Sequence, residues 1–475
     1  MVKKIGLILG PLSFIFLNTL SLENIDEKAS IVIALAAWMI IWWISEAVSI
    51  SVTSLLPIVI FPLFQVMEIN QVGANYGSSI VFLFFGGFVL ALALEKVNLH
   101  QRIALTIINK TGTSPNRVIL GFMIATAFMS MWISNTASTV VMLPIALSVI
   151  NLLIDNKKGG SKSEKKFSLS VMLGIAFSAN SGGIATVIGT PPNSVLIGLL
   201  ENEYNIEISF LNWMVIGLPF SMILLAIIYL LLTRVLFRNE NIKFKSSSQL
   251  ISNKLNELGK LSKKEMHVLI IFGMTVFLWI FRTLINKLIP GFKLSDTIIS
   301  VGCAISLFAI PSKFSKPQFI LNWNDTKNLA WGILILFGGG LALAKGMSET
   351  GIVSLITDSI AGANLNIIIT VSLLITMMLF MTELMSNVAL VAVLAPVMAG
   401  IAIGLEIPIL HLLIPITMAS SCAFMLPMAT PPNAIVFASG YVKVSEMVRA
   451  GILINILSIL LLILMYKFFI PMIFN

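Results

Sequence analysis

The chain has 475 residues, 57% of them hydrophobic and 11% charged, with a mean hydropathy of +1.00. A soluble domain carries about 25% charged residues, so this composition excludes a water-soluble globule and implies a polytopic membrane protein. The formal net charge of +9 does not point to nucleic acid, because the cations collect in short connections between apolar spans.

Strands of alternating polarity, which a membrane barrel needs, are absent, so the spans read as helices and the fold class as all-α. Residues 5 to 20 follow Lys3 and Lys4, and no small-residue cleavage site comes after them. They read as a retained first helix rather than a signal peptide. Further spans are predicted near 30 to 48, 51 to 67 and 77 to 97, each close to the roughly 20 residues that one crossing requires. The stretch 117 to 153 is predicted to enter and leave on the cytoplasmic side as a re-entrant hairpin. Helices near 168 to 200, 212 to 233, 266 to 286, 295 to 311 and 329 to 348 follow. A second hairpin runs from 365 to 404, and the last spans lie near 408 to 439 and 448 to 470. The prediction is therefore eleven spans and two hairpins.

Charges in the connections set the orientation. Residues 155 to 166, "DNKKGGSKSEKK", hold five Lys against Asp155 and Glu164, and residues 234 to 264 hold eight Lys or Arg against Glu240 and Glu257. Both belong on the cytoplasmic face. "ENEYNIE", 201 to 207, has no cation and "ENIDEK", 23 to 28, is net acidic, which suits the outer face. The N-terminus is then cytoplasmic and the C-terminus outside, in the inner (plasma) membrane.

The second half repeats the first. "FLFFGGFVLALALEK" at 82 to 96 matches "ILFGGGLALAKG" at 335 to 346 with Gly86 opposite Gly338, SNT at 134 lies opposite SNV at 386, and Pro144 lies opposite Pro396. These pairs share an offset of 252, while "GTPPN" at 189 and "ATPPN" at 429 are offset by 240. The missing twelve residues match the length of the basic loop 155 to 166. An odd number of spans separates the copies, so they are predicted to be inverted across the membrane.

Irregular backbone at membrane depth is tolerated only where it lines a cavity or is buried in protein. Pro191-Pro192 and Pro431-Pro432 cannot continue a helix, so both spans are predicted to break there. Gly182, Gly183 and Gly189 ease the first break. A broken helix offers carbonyls to a cation at one end and amides to an anion at the other. The SNT and SNV triplets fall at the two hairpin tips, where Ser, Asn and Thr offer neutral oxygens to an alkali ion and donors to a carboxylate. Either triplet alone reads as helix glue or a cap on a hairpin's second arm. Two triplets, each followed by a TPPN break, read as a binding site. No Lys or Arg occurs in 119 to 156, 168 to 233 or 353 to 442. An anion held there would need bound Na⁺ to supply the missing charge.

"WWISEAVSISVTSLLPIVIFPL" at 42 to 63, the paired SNT and SNV, and the twin TPPN breaks resemble the divalent anion/sodium symporter family over nearly the whole chain. The resemblance implies a homodimeric sodium-coupled transporter, with scaffold and transport domains working as an elevator. The scaffold would comprise 1 to 116 and, with the connecting helix, 211 to 352. Hairpins and broken helices at 117 to 210 and 353 to 447 would form the transport domain, and 448 to 475 the C-terminal helix. Carried over by motif, one Na⁺ site would use Ser130, Ser134, Asn135 and Gly189, and the other Thr382, Ser386, Asn387 and Ala429. The dicarboxylate would lie between the tips, touched by Asn135, Thr136, Asn387, Thr190 and Thr430, beside Pro191 and Pro431. One departure is Val388 where the family pattern has Thr. A lost hydrogen bond to a charged group costs about 1.5 to 3 kcal/mol, which would weaken or reshape one carboxylate subsite.

Glu46 reads as structural, and Glu383 as a residue that shapes the second hairpin, with proton coupling the lesser reading. His100, His267 and His411 show no metal spacing, and Cys303 and Cys422 lie in apolar runs as packing residues. The expected function is Na⁺-coupled import of C4-dicarboxylates such as succinate, malate or fumarate. A Na⁺-independent di- or tricarboxylate exchanger and a sulfate/Na⁺ symporter are the nearest alternatives. A passive channel fits the paired breaks poorly, and an enzyme lacks an acid/base pair at the tips.

Overall fold

Apolar segments punctuated by Pro, Gly and polar turns dictate helices, and the computed structural model is all-helical among the residues it describes. These are 2–20, 25–112, 114–153, 162–238, 247–289, 291, 293–311, 318–361 and 366–474. Within the loops whose charges set the expected orientation, 23–24, 155–161 and 239–246 lie outside the described residues.

Helices α1 (Val2–Thr19) and α2 (Glu27–Ser45) pack on each other. The span expected at 51 to 67 is instead two short helices, α3 (Ile50–Thr53) and α4 (Leu56–Leu63), followed by α5 (Ile69–Tyr76). Pro57 restarts the helix and Gln65, at φ 54°, ends it, so one continuous crossing cannot form. Next come α6 (Ser79–Lys96) and α7 (Leu99–Thr111), then the first hairpin of α8 (Pro115–Ser130) and α9 (Asn135–Leu153). The interrupted span of α10 (Lys162–Ile184) and α11 (Pro191–Tyr204) leads to α12 (Phe210–Leu230). Three helices, α13 (Ser247–Glu257), α14 (Lys263–Leu288) and α15 (Asp296–Ala309), precede the second set. That set is α16 (Trp331–Glu349), α17 (Ile352–Ile360), the hairpin α18 (Ile367–Thr382) and α19 (Asn387–Gly404), the interrupted span α20 (Ile409–Ser420) and α21 (Pro431–Ala438), α22 (Val444–Leu464) and α23 (Ile470–Ile473).

The duplication is therefore structural and wider than its motifs. Helices α8 and α18 both have 16 residues, α12 and α22 both have 21, and each of the latter runs on into a π-helical turn, Leu231–Leu236 and Met465–Phe469. Helices α7 and α17 also occupy matching places, in stretches expected from the sequence to be connections. Packing follows the repeat: α10 lies on α8, α9 and α12, and α20 on α18, α19 and α22. Contacts of α10 with α21 and of α11 with α20 join the two copies at their breaks. Each landmark glycine admits a neighbouring helix: a Cβ at Gly86 would strike Ser300 of α15, and one at Gly338 would strike Tyr76 of α5.

Eight helices among the described residues are long and apolar enough to cross a membrane. Seven coincide with expected spans, and the eighth, α19, is the second arm of the second hairpin. Helix α15 and the two halves of the last interrupted span are shorter, so helix length alone does not set the number of crossings.

Candidate functional site

The two hairpins turn over four residues each, 131–134 and 383–386, and each triplet starts on the last residue of its turn and runs into the second arm. Ser134 Oγ accepts the Ala137 amide (3.2 Å) and Ser386 Oγ the Ala389 amide (3.5 Å), so both serines cap a hairpin's second arm. The capping role is real, and it does not extend to the asparagines. Asn135 and Asn387 instead reach back to the last residue of the first arm. Ser130 Oγ lies 2.5 Å from Asn135 Oδ1 and 2.7 Å from the Ala179 carbonyl, and Thr382 Oγ1 lies 2.7 Å from Asn387 Oδ1 and 2.6 Å from the Ser420 carbonyl.

Each hydroxyl has one proton and two acceptors, so each cluster is short of one donor. The first goes further. The carboxamide end of Asn135 that faces Ser130 also lies 3.2 Å from the Ala179 and Gly189 carbonyls. With its NH₂ turned inward the set is closed by hydrogen bonds; with its oxygen inward, neutral oxygens surround a place for a cation. Glycine makes this approach possible. A Cβ on Gly183 would stand 2.5 Å from Asn135 Oδ1, and one on Gly189 would stand 2.5 Å from the Gly183 carbonyl and 2.9 Å from the Ser130 carbonyl. A set of hydroxyl, amide and carbonyl oxygens suits a hard monovalent cation.

Both triplets and both breaks meet in one cavity of about 620 Å³. Its walls include Ser134, Asn135 and Thr136 from the first tip and Ser386, Asn387 and Val388 from the second. Thr190, Pro191 and Pro192 come from the first break, and Ala429, Thr430, Pro431 and Pro432 from the second. Ser130 and Thr382 are fully buried behind this surface, and Gly189 lines a smaller neighbouring cavity of about 90 Å³ with Ser134 and Pro191. Among the described residues the lining contains no Lys or Arg, and its one charged residue is Glu46. Four helices, α9, α11, α19 and α21, begin at this cavity and turn the positive ends of their dipoles toward it. The first amides of α9 and α19, at Asn135, Thr136, Asn387 and Val388, have no intrahelical acceptor.

The breaks are held by residues that the sequence reading did not single out. Asn193 Nδ2 donates to the Thr186 carbonyl (2.8 Å) and Asn433 Nδ2 to the carbonyls of Ala423 and Leu426 (both 3.1 Å). Asn180, buried within α10, donates across to Thr430 Oγ1 (3.0 Å) and the Ala423 carbonyl (3.2 Å), tying one break to the other. Thr186 Oγ1 bonds the Met131 carbonyl (2.5 Å) and accepts the Gly189 amide (3.0 Å). A lone Asn in an apolar helix was the available signal for Asn180 and Asn455.

Glu383, read in sequence as shaping the second hairpin, ties that hairpin to the second break. Its carboxylate accepts the amides of Phe424 (2.9 Å), Met425 (3.0 Å) and Leu426 (3.1 Å) and the Asn455 side chain (2.7 Å). Glu46 caps α2 in a left-handed conformation (φ 46°) and pairs with Lys3 at 3.4 Å, both side chains about two-thirds exposed, so that pair adds little stability. His100 and His411 meet backbone carbonyls of Leu94 and Phe474, and Cys303 and Cys422 are buried and free.

An internally duplicated helical membrane protein whose two copies bring interrupted helices to one shared cavity has the architecture of secondary transporters. The chain belongs to the divalent anion/sodium symporter family: the family model described as "Sodium:sulfate symporter transmembrane region" matches residues 8–475. It is 41% identical over 478 residues to the sodium-dependent dicarboxylate transporter SdcS of Staphylococcus saprophyticus, covering 99% of this chain and 92% of that one. SdcS of Staphylococcus aureus strain USA300 matches equally, 41% over 479 residues with the same coverage. Among solved structures, the Alcanivorax borkumensis YdaH transporter superposes with a TM-score of 0.56 at 10% identity, over 85% of this chain and 88% of that one, a likeness of fold alone.

Proposed function

We propose that this protein imports C4-dicarboxylates such as succinate, malate or fumarate together with Na⁺. The observation that carries the reading is the single cavity in which two oxygen-rich tips and four helix N-termini meet without one Lys or Arg. Positive helix ends favour an anion, and the donor-poor clusters behind the tips favour cations. Together they give a dianion its balancing charge as cargo. The relatives' printed names, sodium-dependent dicarboxylate transporters, support the same substrate class.

In this reading Ser130, Ser134, Asn135 and Gly189 hold one Na⁺, and Thr382, Ser386, Asn387 and Ala429 the other. The carboxylates lie between the tips, bonded by the side chains of Asn135, Thr136, Asn387, Thr190 and Thr430 and by the first amides of α9 and α19. Val388 contributes its amide but no hydroxyl. Pro191 and Pro431 shape the floor and begin the helices whose dipoles face the anion. The hairpins and broken helices move as one transport domain against a scaffold in a homodimer, as an elevator.

The N-terminus is cytoplasmic and the C-terminus outside. Side-chain bonds between distant elements fit the grouping of ends that this topology makes, whichever face is cytoplasmic. Lys96 with Asp325, Arg102 with Glu265 and Tyr441 with Asn151 join ends that it places inside. Ser79 with Glu201, Arg282 with Glu207 and His411 with Phe474 join ends that it places outside.

The test is succinate uptake into proteoliposomes with and without an inward Na⁺ gradient, and with or without internal succinate. Uptake that needs Na⁺ and no internal succinate supports symport. Uptake that needs only internal succinate makes the protein an exchanger, and Na⁺-driven uptake of sulfate alone moves the substrate class.

A further inference from the structure

The two half-sites are not copies, and their difference lies in how each is held. At the offset of 240, Gly183 and Gly189 of the first break correspond to Ala423 and Ala429 of the second. A Cβ at position 183 would stand 2.5 Å from Asn135 Oδ1, so the second half-site, with alanines at both positions, lacks the bare backbone that the first one sets against its asparagine. At the offset of 252, Met131 corresponds to Glu383, and between α12 and α22, offset by 234, Ser221 corresponds to Asn455. The first break is tied to its hairpin through neutral groups, Thr186 Oγ1 to the Met131 carbonyl. The second is tied by a buried carboxylate that takes three successive amides and is itself fixed by Asn455.

We propose that Glu383, oriented by Asn455, is the positioning residue of the second cation half-site, and that its charge replaces the glycine cradle the second repeat lacks. Two effects follow from the geometry. In a trans peptide the carbonyl points opposite to the amide, so fixing the Phe424 amide aims the Ala423 carbonyl away from Glu383, where Asn180 and Asn433 donate to it. Asn180 and Asn433 in turn bond Thr430 Oγ1, so the carboxylate sets a substrate-facing hydroxyl through the loop. Glu383 also places a fixed negative charge next in the chain to Thr382, whose hydroxyl meets Asn387 Oδ1 and the Ser420 carbonyl. No Lys or Arg lies from 353 to 442, and among the described residues no ion pair engages Glu383, so that charge favours a cation.

This inference rests on Na⁺-coupled transport, and the test separates the two. Succinate uptake by wild type, Glu383→Gln and Asn455→Ala is measured against Na⁺ concentration. In Glu383→Gln the half-saturating Na⁺ concentration is expected to rise about tenfold and the cooperativity of Na⁺ activation to fall, while the rate at saturating Na⁺ is largely kept. Asn455→Ala, which keeps the carboxylate and its three amides, is expected to shift Na⁺ dependence in the same direction by a smaller factor. A loss of maximal rate with unchanged half-saturation in Glu383→Gln marks a purely structural residue and overturns the proposal. If Glu383→Gln does not fold, unchanged Na⁺ dependence in Asn455→Ala overturns it. Uptake by wild type that is indifferent to Na⁺ removes the transport reading itself, and this proposal with it.

Discussion

Asn135 and Asn387 do two jobs at one position, each starting a hairpin's second arm and facing a hydroxyl that already has another acceptor. Asn135→Ala and Asn387→Ala are each expected to abolish Na⁺-dependent uptake while the elution volume on size-exclusion chromatography stays that of wild type; normal uptake in either removes the site assignment. Gly183 is a sharper probe of the first cluster, because a methyl there intrudes on Asn135 without removing any oxygen. Gly183→Ala should therefore lose Na⁺-induced stabilisation, read as the Tm difference with and without Na⁺. Val388 faces the cavity with an amide and an isopropyl group. Val388→Thr adds a hydroxyl worth about 1.5 to 3 kcal/mol if it bonds a carboxylate, so KM for succinate is expected to fall tenfold or more. An unchanged KM would place the carboxylate out of reach of that side chain. At this scale the triplets were legible because polar residues in an apolar run have few uses. Gly183 reads in sequence only as easing the break, and Thr186 and Asn180 carry no sequence signal of their roles, since each acts only after the break folds back on its own hairpin or meets its copy.

Among elements, the breaks carry most of the information. Two consecutive prolines forced a stop in each interrupted span, and both stops are present. What the prolines could not reveal is what satisfies the exposed carbonyls, and the answer is the Asn that ends each TPPN run. Asn433→Ala removes the side-chain donor from the part-buried Leu426 carbonyl and one of two from the buried Ala423 carbonyl, and is expected to destabilise the protein by about 1 to 3 kcal/mol. The measurement is the denaturation midpoint of purified protein in saturating Na⁺; no change would mean that other donors satisfy the loop. The region 51 to 67 reads as a single span in sequence because it is apolar over most of its length, and hydropathy does not register a restart at Pro57. Helices α7 and α17 escaped notice for the opposite reason: each is short, and half-polar segments resemble loops.

For the whole molecule, the offsets of 252 and 240 were enough to reveal a duplication, and the equal lengths of paired helices make it structural. Sidedness has a direct check. With a membrane-impermeant maleimide on intact cells, Glu207→Cys should label and Lys260→Cys should not, since both positions are exposed but are assigned to opposite faces. The reverse pattern would invert the orientation.

The central claim is that one cavity holds a dianion whose charge is balanced by mobile cations rather than by side chains. Thermal stability of the purified protein with succinate, in NaCl against an equal concentration of choline chloride, tests it most directly. Succinate is expected to raise Tm in Na⁺ and to leave it unchanged in choline. An equal rise in both salts would contradict the claim, because the anion would then be held without the ions meant to balance it.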